Sequence, residues 1–216
     1  MSGFKKLKLK KCYSSDVDNL LFDFYIPVLS EGVKYDRLAG FFSSSVLCIS
    51  AKGIANFIHN GGKMRMIVCP RLNENDIKAI MNSNETYSYI ERIMLEEIDK
   101  AEHFFREEPV KALSWMIAKQ MLDIRVAIIY DSNGKILTAN EIERRGIFHQ
   151  KVGILYDNDN NILSFSGSIN ESAQGWMENI EEFKVFRNWK KDEYDYFTSD
   201  LNKFERMWNG LSKRVD

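Results

Sequence analysis

The chain has little of what marks several classes of protein. Cysteine occurs only three times in 216 residues, at Cys12, Cys48 and Cys69. The odd count and wide spacing argue against a disulfide framework, and no close pair begins a zinc site. Reduced, partly buried thiols are expected instead, as in a cytoplasmic protein. With 3 prolines and 12 glycines, collagen-like and proline-rich disordered chains are excluded. No apolar run approaches the roughly 18 residues of a spanning helix; the longest clean one is Val126-Ala127-Ile128-Ile129-Tyr130. No membrane contact is therefore expected. The opening Met1-Ser2-Gly3-Phe4-Lys5-Lys6 has no hydrophobic stretch behind its charges and does not read as a secretory signal. An excess of one charge is missing too: 30 basic and 31 acidic residues leave a net charge of -1. Bulk charge does not announce a nucleic-acid binder, so any grip on a polyanion must be local.

What is present is an ordinary globular balance, 44% hydrophobic and 28% charged, in a length that suits one large domain. We expect a single α/β domain over 1–216. Residues 5–11 alternate lysine with leucine, as a short edge strand or arm with its lysines outward. Asp16 opens a helix through Leu20, Leu21 and Phe24, capped by aspartate or serine, with Pro27 near its end. A strand over 35–42, a helix capped by Ser43-Ser44-Ser45 and a strand over 63–69 form a strand–helix–strand unit. Asn60-Gly61-Gly62 stops that helix, and the order implies a right-handed crossover with parallel strands. The pattern from 73 to 120 is helical and reads as an insertion between two halves. Further strands are expected over 124–130, 147–156, 162–167 and 182–187. A polar stretch at 138–146 precedes the second of these. The loop 157–161 joins the second and third as a hairpin, and a helix from Asp192 to Trp208 closes the chain.

The informative residues lie on that hairpin. His149 and Lys151 are two apart, so on a strand they share a face. Ser168 and Asn170 repeat the spacing at the end of the next strand, and Gly167 permits close backbone approach. An imidazole is a nucleophile, while an ammonium, a hydroxyl and an amide are donors for an oxygen-rich anion. Together they suit phosphoryl transfer, with the imidazole attacking phosphorus. No carboxylate cluster is called for, so neither a metal nor another cofactor is implied. A carboxylate on the other ring nitrogen would fix the tautomer; Glu181 and Glu182 are the nearest downstream. Arg144 and Arg145, just before His149, read equally as local phosphate contacts or as part of a solvated loop. His59 and His103 lack a lysine two residues on and read as structural or surface histidines. Trp115, Trp176, Trp189 and Trp208 read as core or interface packing.

His149-x-Lys151 followed by Gly167-Ser168-x-Asn170 and Asn179-Ile180-Glu181 resembles the HKD signature of the phospholipase D superfamily. The resemblance implies a mixed β-sheet flanked by helices. It also implies a phosphohistidine intermediate on His149, a phosphate gripped by Lys151, Ser168 and Asn170, and Glu181 orienting the histidine. Such sites use two histidines, so a chain with one motif implies a twofold dimer with His149 of both subunits at the interface. Two features depart from the pattern: Tyr156 stands where the family has aspartate, with Asp157 one later, and the interval from Lys151 to Gly167 is longer. Asp157 reads as the start of the hairpin loop. Leu113-Ser114-Trp115 together with Phe165-Ser166-Gly167-Ser168-Ile169-Asn170-Glu171-Ser172 and Gly175-Trp176 is similar to the N-terminal domain of bacterial restriction and phage-defence helicases. That implies a DNA endonuclease, with a motor domain elsewhere in a longer chain; no phosphate-loop motif is present here. The alternative is an inactive DNA-binding or dimerisation module of such a helicase, motivated by the shifted aspartate. A lipid phosphodiesterase is disfavoured, because no basic amphipathic helix with large exposed aromatics is found.

Overall fold

The structure is a computed structural model and describes residues 3–43, 45–69, 115–145 and 151–212. Its strands are β1 (Cys12–Ser14), β2 (Gly32–Ala39), β3 (Lys63–Val68), β4 (Leu122–Val126), β5 (Val152–Asp157), β6 (Ile162–Gly167) and β7 (Glu182–Arg187). They form one seven-stranded mixed sheet in the order β1-β7-β6-β5-β2-β3-β4. The expected parallel unit is there: β2 and β3 run side by side from Lys34 opposite Lys63 to Ala39 opposite Val68. β4 extends it in parallel. β5 lies antiparallel on the other side of β2, and the β5–β6 hairpin pairs Val152 with Ser166 and Tyr156 with Ile162. β7 and β1 complete the antiparallel half.

Alternation along the strands divides the core between two faces. Tyr35, Met64, Met66, Leu155, Phe165 and Phe183 point to one face. There they meet α1 (Ile26–Glu31), α2 (Ser45–Ile49), α3 (Ala51–His59) and α5 (Ala173–Met177). Leu38, Ile67, Val152 and Ile154 point to the other, against Phe204 and Trp208 of α6 (Tyr194–Trp208). Aromatic rings dominate the first face. Trp176 stacks on Tyr25 at 4.0 Å between centroids, and Phe24 meets Phe165 edge-on at 5.3 Å. Such pairs add about 0.5–1.5 kcal/mol each beyond their area. Gly153 makes the arrangement feasible, since a Cβ there would lie 2.1 Å from the Phe165 ring.

Several boundaries differ from the sequence reading, each for a local reason. The lysines of 5–11 are exposed as expected, but Gly3–Lys6 is a 3-10 turn and the edge strand begins only at Cys12. Phe4 is buried and its N–H donates to Asp157 Oδ2 at 2.7 Å, which draws the chain off the sheet edge. The helix expected from Asp16 begins later. Asn19 Oδ1 accepts from the Phe22 N–H, and the chain enters α1 through a π turn at Leu21–Tyr25. Pro27 then stands in the first turn of α1 rather than at its end, where its missing N–H costs nothing. β2 starts three residues before the expected 35, and β4 and β5 are offset to 122–126 and 152–157. The single helix expected after Ser43 is two, broken at Ser50, whose hydroxyl donates to the Val46 carbonyl at 2.5 Å. The polar stretch 138–146 contains α4 (Ala139–Arg145), started by a capping box in which Thr138 Oγ1 and the Glu141 carboxylate each accept the other's N–H. The closing helix opens with a 3-10 turn, Lys191–Glu193. The helical insertion expected over 73–120 lies outside the described residues except for 115–120, of which 115–118 are helical.

Candidate active site

The end of the hairpin opposite its loop gathers the predicted polar groups. Gly167 is the last residue of β6, and its N–H donates to the Lys151 carbonyl at 3.3 Å. A Cβ at Gly167 would lie 2.1 Å from the Glu182 carbonyl and 2.6 Å from Phe183 Cα. Glycine therefore lets β6 close on β7, as the sequence suggested. That closeness carries Ser168 to Glu181. The Ser168 N–H donates to the Glu182 carbonyl at 3.0 Å, and its hydroxyl donates to Glu181 Oε2. Asn179 Nδ2 donates to Oε1 of the same carboxylate at 3.1 Å, so both residues of the Asn-x-Glu element work together. The Glu181 backbone is tied in turn to Ser15, whose Oγ accepts its N–H at 2.9 Å.

Lys151 directly precedes β5. By the two-residue period it shares a face with Gly153 and Leu155, and with Arg37 across the pairing of β2 and β5. It is buried, at 7% exposure. Burial pushes its pKa below the ordinary lysine value of 10.5, the Arg37 guanidinium pushes the same way, and the Glu181 carboxylate pulls it back up. The lysine thus lies within electrostatic reach of both the arginine and the glutamate at this end of the sheet. Asn170 follows with its backbone against α5, where a Cβ at Gly175 would lie 2.7 Å from the Asn170 carbonyl. Its Oδ1 is buried without a hydrogen-bond partner.

Of the residues singled out from sequence, Lys151, Ser168, Asn170 and Glu181 therefore stand at one end of the sheet. His149 lies outside the described residues, as does the side chain of Arg145. Arg144 is exposed on α4, and no described hydrogen bond or ion pair links it to the other four. Asp157 is at the far end of β5, about 20 Å along the strand from Lys151 at ~3.3 Å per residue. Its Oδ1 accepts the N–H groups of Asp159 and Asn161, and its Oδ2 accepts Phe4 N–H and Asn161 Nδ2. It starts the loop, as read from the sequence. His59 is exposed at the end of α3, and Trp176 and Trp208 are core residues, whereas Trp115 is 46% exposed.

Sequence reasoning passed over the layer beneath these groups. Arg37 and Glu171 are fully buried and paired at 2.8 Å, with the hydroxyls of Tyr25 and Tyr35 donating to the same carboxylate. The available signals were an arginine whose strand neighbours Tyr35 and Ala39 on the same face are apolar, and a glutamate directly after Asn170. The ammonium, hydroxyl and amide gathered at this end are of the kinds that suit a phosphate, and the carboxylate suits an imidazole N–H.

No protein-family model and no curated protein matches the chain. Among solved structures, NucT from Helicobacter pylori is similar with a TM-score of 0.50 and 14% identity, covering 92% of this chain and 94% of that one. Nuc from Salmonella typhimurium, a phospholipase D family member, is similar with a TM-score of 0.42 and 15% identity over 85% of this chain and 84% of that one. With a mixed seven-stranded sheet flanked by helices, and a likeness that runs nearly the full length of both chains, this protein has the phospholipase D-like fold.

Proposed function

We propose that the protein is a phosphodiesterase of phospholipase D type that cuts DNA internally without a metal. The observation that carries this reading is the meeting of Lys151, Ser168 and Glu181, with Asn170 alongside, where the Gly-Ser-x-Asn turn leaves the sheet. In the first step His149 attacks phosphorus, a P–N bond forms, and the P–O bond to one deoxyribose breaks. The departing oxygen takes a proton from a second imidazole, which His149 of a twofold partner supplies. In the second step that imidazole takes a proton from water, the water oxygen attacks phosphorus, and the P–N bond breaks. The sum is one diester and one water giving a monoester and an alcohol. Lys151, Ser168 and Asn170 hold the phosphoryl oxygens, and Glu181 accepts the other ring N–H of His149 and supports its positive charge.

DNA is the proposed substrate because of the resemblance to restriction and phage-defence helicases, and that resemblance is also the ground for proposing a defence role with a motor in the same chain. Arg144 and Arg145 are proposed as backbone contacts, and the cytoplasm as the compartment. Asp157 serves the hairpin loop, and the alternative that the shifted aspartate motivates, an inactive DNA-binding or dimerisation module, is decided by the same cleavage assay. The test is cleavage of plasmid and oligonucleotide DNA, with and without EDTA, by wild type and His149→Ala, beside a mass measurement in solution. Cleavage that persists in EDTA, disappears in His149→Ala and belongs to a dimer is expected. Undiminished cleavage by His149→Ala overturns the reading.

A further inference from the structure

We propose that Arg37 and Glu171 are positioning residues, a buried ion pair that holds the phosphate-gripping Asn170 in place from below. The inference rests on the phosphodiesterase reading for the role of Asn170, but its geometry is independent of it. Arg37 is 0% exposed and Glu171 1%. The two neighbours of Asn170 are both tied to the one guanidinium: Nη2 donates to the Ile169 carbonyl at 2.5 Å, and Nε donates to Glu171 Oε2 at 2.8 Å. Tyr35 donates to the same oxygen at 3.0 Å, and Tyr25 to the other. The backbone of Glu171 is held as well, its N–H donating to the Phe41 carbonyl at 3.1 Å and its carbonyl accepting the Ser43 N–H at 2.9 Å. Arg37 itself rests 5.0 Å above the Phe165 ring, which Gly153 admits beneath it. The turn carrying Asn170 is thus anchored on both sides, from β2, across β5.

Stability alone is a poor reason for this layer. Two charges taken out of water cost several kcal/mol each, and an apolar pair of equal volume commonly serves the fold as well or better. Another buried pair among the described residues, Arg187 with Glu193, shows what a fastening looks like. It joins the end of β7 to the 3-10 turn before α6, and Arg187 Nη1 reaches the Leu9 carbonyl at 3.3 Å, with no predicted site residue among its hydrogen-bond partners. The pair beneath Asn170 differs in another way. Arg37 Nη1 and Asn170 Oδ1 are both buried without hydrogen-bond partners, so polar capacity is left open both in the pair and in the residue it supports. The same guanidinium also acts on the Lys151 ammonium. One residue therefore sets the place of one phosphate ligand and the charge environment of another.

The test compares two double variants of the full-length protein, Arg37→Met/Glu171→Gln and the control Arg187→Met/Glu193→Gln, with Arg37→Lys as the conservative change. Removing the first pair is expected to lower kcat of the folded protein about 10- to 100-fold, the scale of an ångström-level misplacement. It should also raise the Lys151 pKa measured by 13C NMR and broaden or split the Asn170 side-chain amide signals. Arg37→Lys should retain the Lys151 pKa more closely than the double variant does. The control pair should lower thermal stability by a similar amount while leaving kcat, the Lys151 titration and the Asn170 signals unchanged. Unchanged Lys151 and Asn170 signals in Arg37→Met/Glu171→Gln overturn the inference whatever the activity. A wild type that cuts no phosphodiester overturns the functional reading alone, since the two NMR readouts still decide this one.

Discussion

At the loop end of the β5–β6 hairpin, the Asp157 carboxylate accepts four N–H groups, three from backbone and one from Asn161. At the other end, polar groups of the same kinds are arranged differently. Lys151 is buried although burial disfavours its charge, Glu181 is buried with a serine hydroxyl on it, and Asn170 Oδ1 has no partner. Both ends are polar, and both are held by a loop or a neighbouring strand. The first spends its acceptors on closing a turn and on anchoring the N-terminal segment through Phe4. The second places a buried ammonium, a buried carboxylate and an unpartnered amide oxygen at one end of the sheet, an arrangement of the kind found where perturbed groups serve chemistry.

The comparison is broken most directly at Lys151. Lys151→Met is expected to lower kcat on a labelled oligonucleotide by about 10³-fold or more, with little loss of thermal stability, since the buried ammonium is itself a cost; a large stability loss with kcat retained reverses the assignment. Asp157→Ala should do the converse. Leaving four N–H groups without an acceptor costs about 2–4 kcal/mol in urea unfolding, while kcat of the folded protein stays within about twofold, the control range for a residue ~20 Å away. Gly167→Ala probes the place where fold and site meet. Its Cβ must push against backbone of β7, so about 1–3 kcal/mol of stability and part of the activity should go together, the latter because Ser168 is levered off Glu181. The pH profile refines the picture. Activity that needs the Lys151 ammonium falls as pH rises through a pKa below 10.5, and Lys151→Arg should lose that alkaline limb in whatever activity it keeps. The smallest effect is expected at Asp200, on the face away from both ends, where burial holds the carboxyl above its ordinary value of 3.8. A raised carboxyl favours the fold in acid and loses that contribution as pH rises through the folded value. Asp200→Asn keeps an acceptor for the Ser164 hydroxyl, at 2.9 Å in the native protein, so Tm should be unchanged or slightly higher at neutral pH, with no gain below pH 3.8.

Much of the fold was legible where local chemistry and tertiary demand agree. The ends of β6 and β7 fall where they were read, because glycine, asparagine and aspartate punctuate strands whose apolar residues alternate. The polar groups that share one end of the sheet, Lys151, Ser168, Asn170 and Glu181, were legible because each element of the signature is short and local. Residues 5–11 were misread because alternating exposure does not require a strand: Phe4 is pulled down by Asp157, from 153 residues away. Helix α4 was hidden because its residues are polar, although Thr138 and Glu141 carried the capping signal. Arg37 and Glu171 could not be paired from sequence at all. They are 134 residues apart, and only burial on the same sheet face shows that one holds the other.

The most direct measurement is a mass analysis of the protein quenched in alkali during turnover of an oligonucleotide in EDTA, conditions in which a P–N bond survives. The account predicts a nucleotide attached to the peptide containing His149, no adduct with His149→Ala, and loss of cleavage in that variant. Continued cleavage by His149→Ala at the wild-type rate, with no adduct on the native histidine, would contradict it.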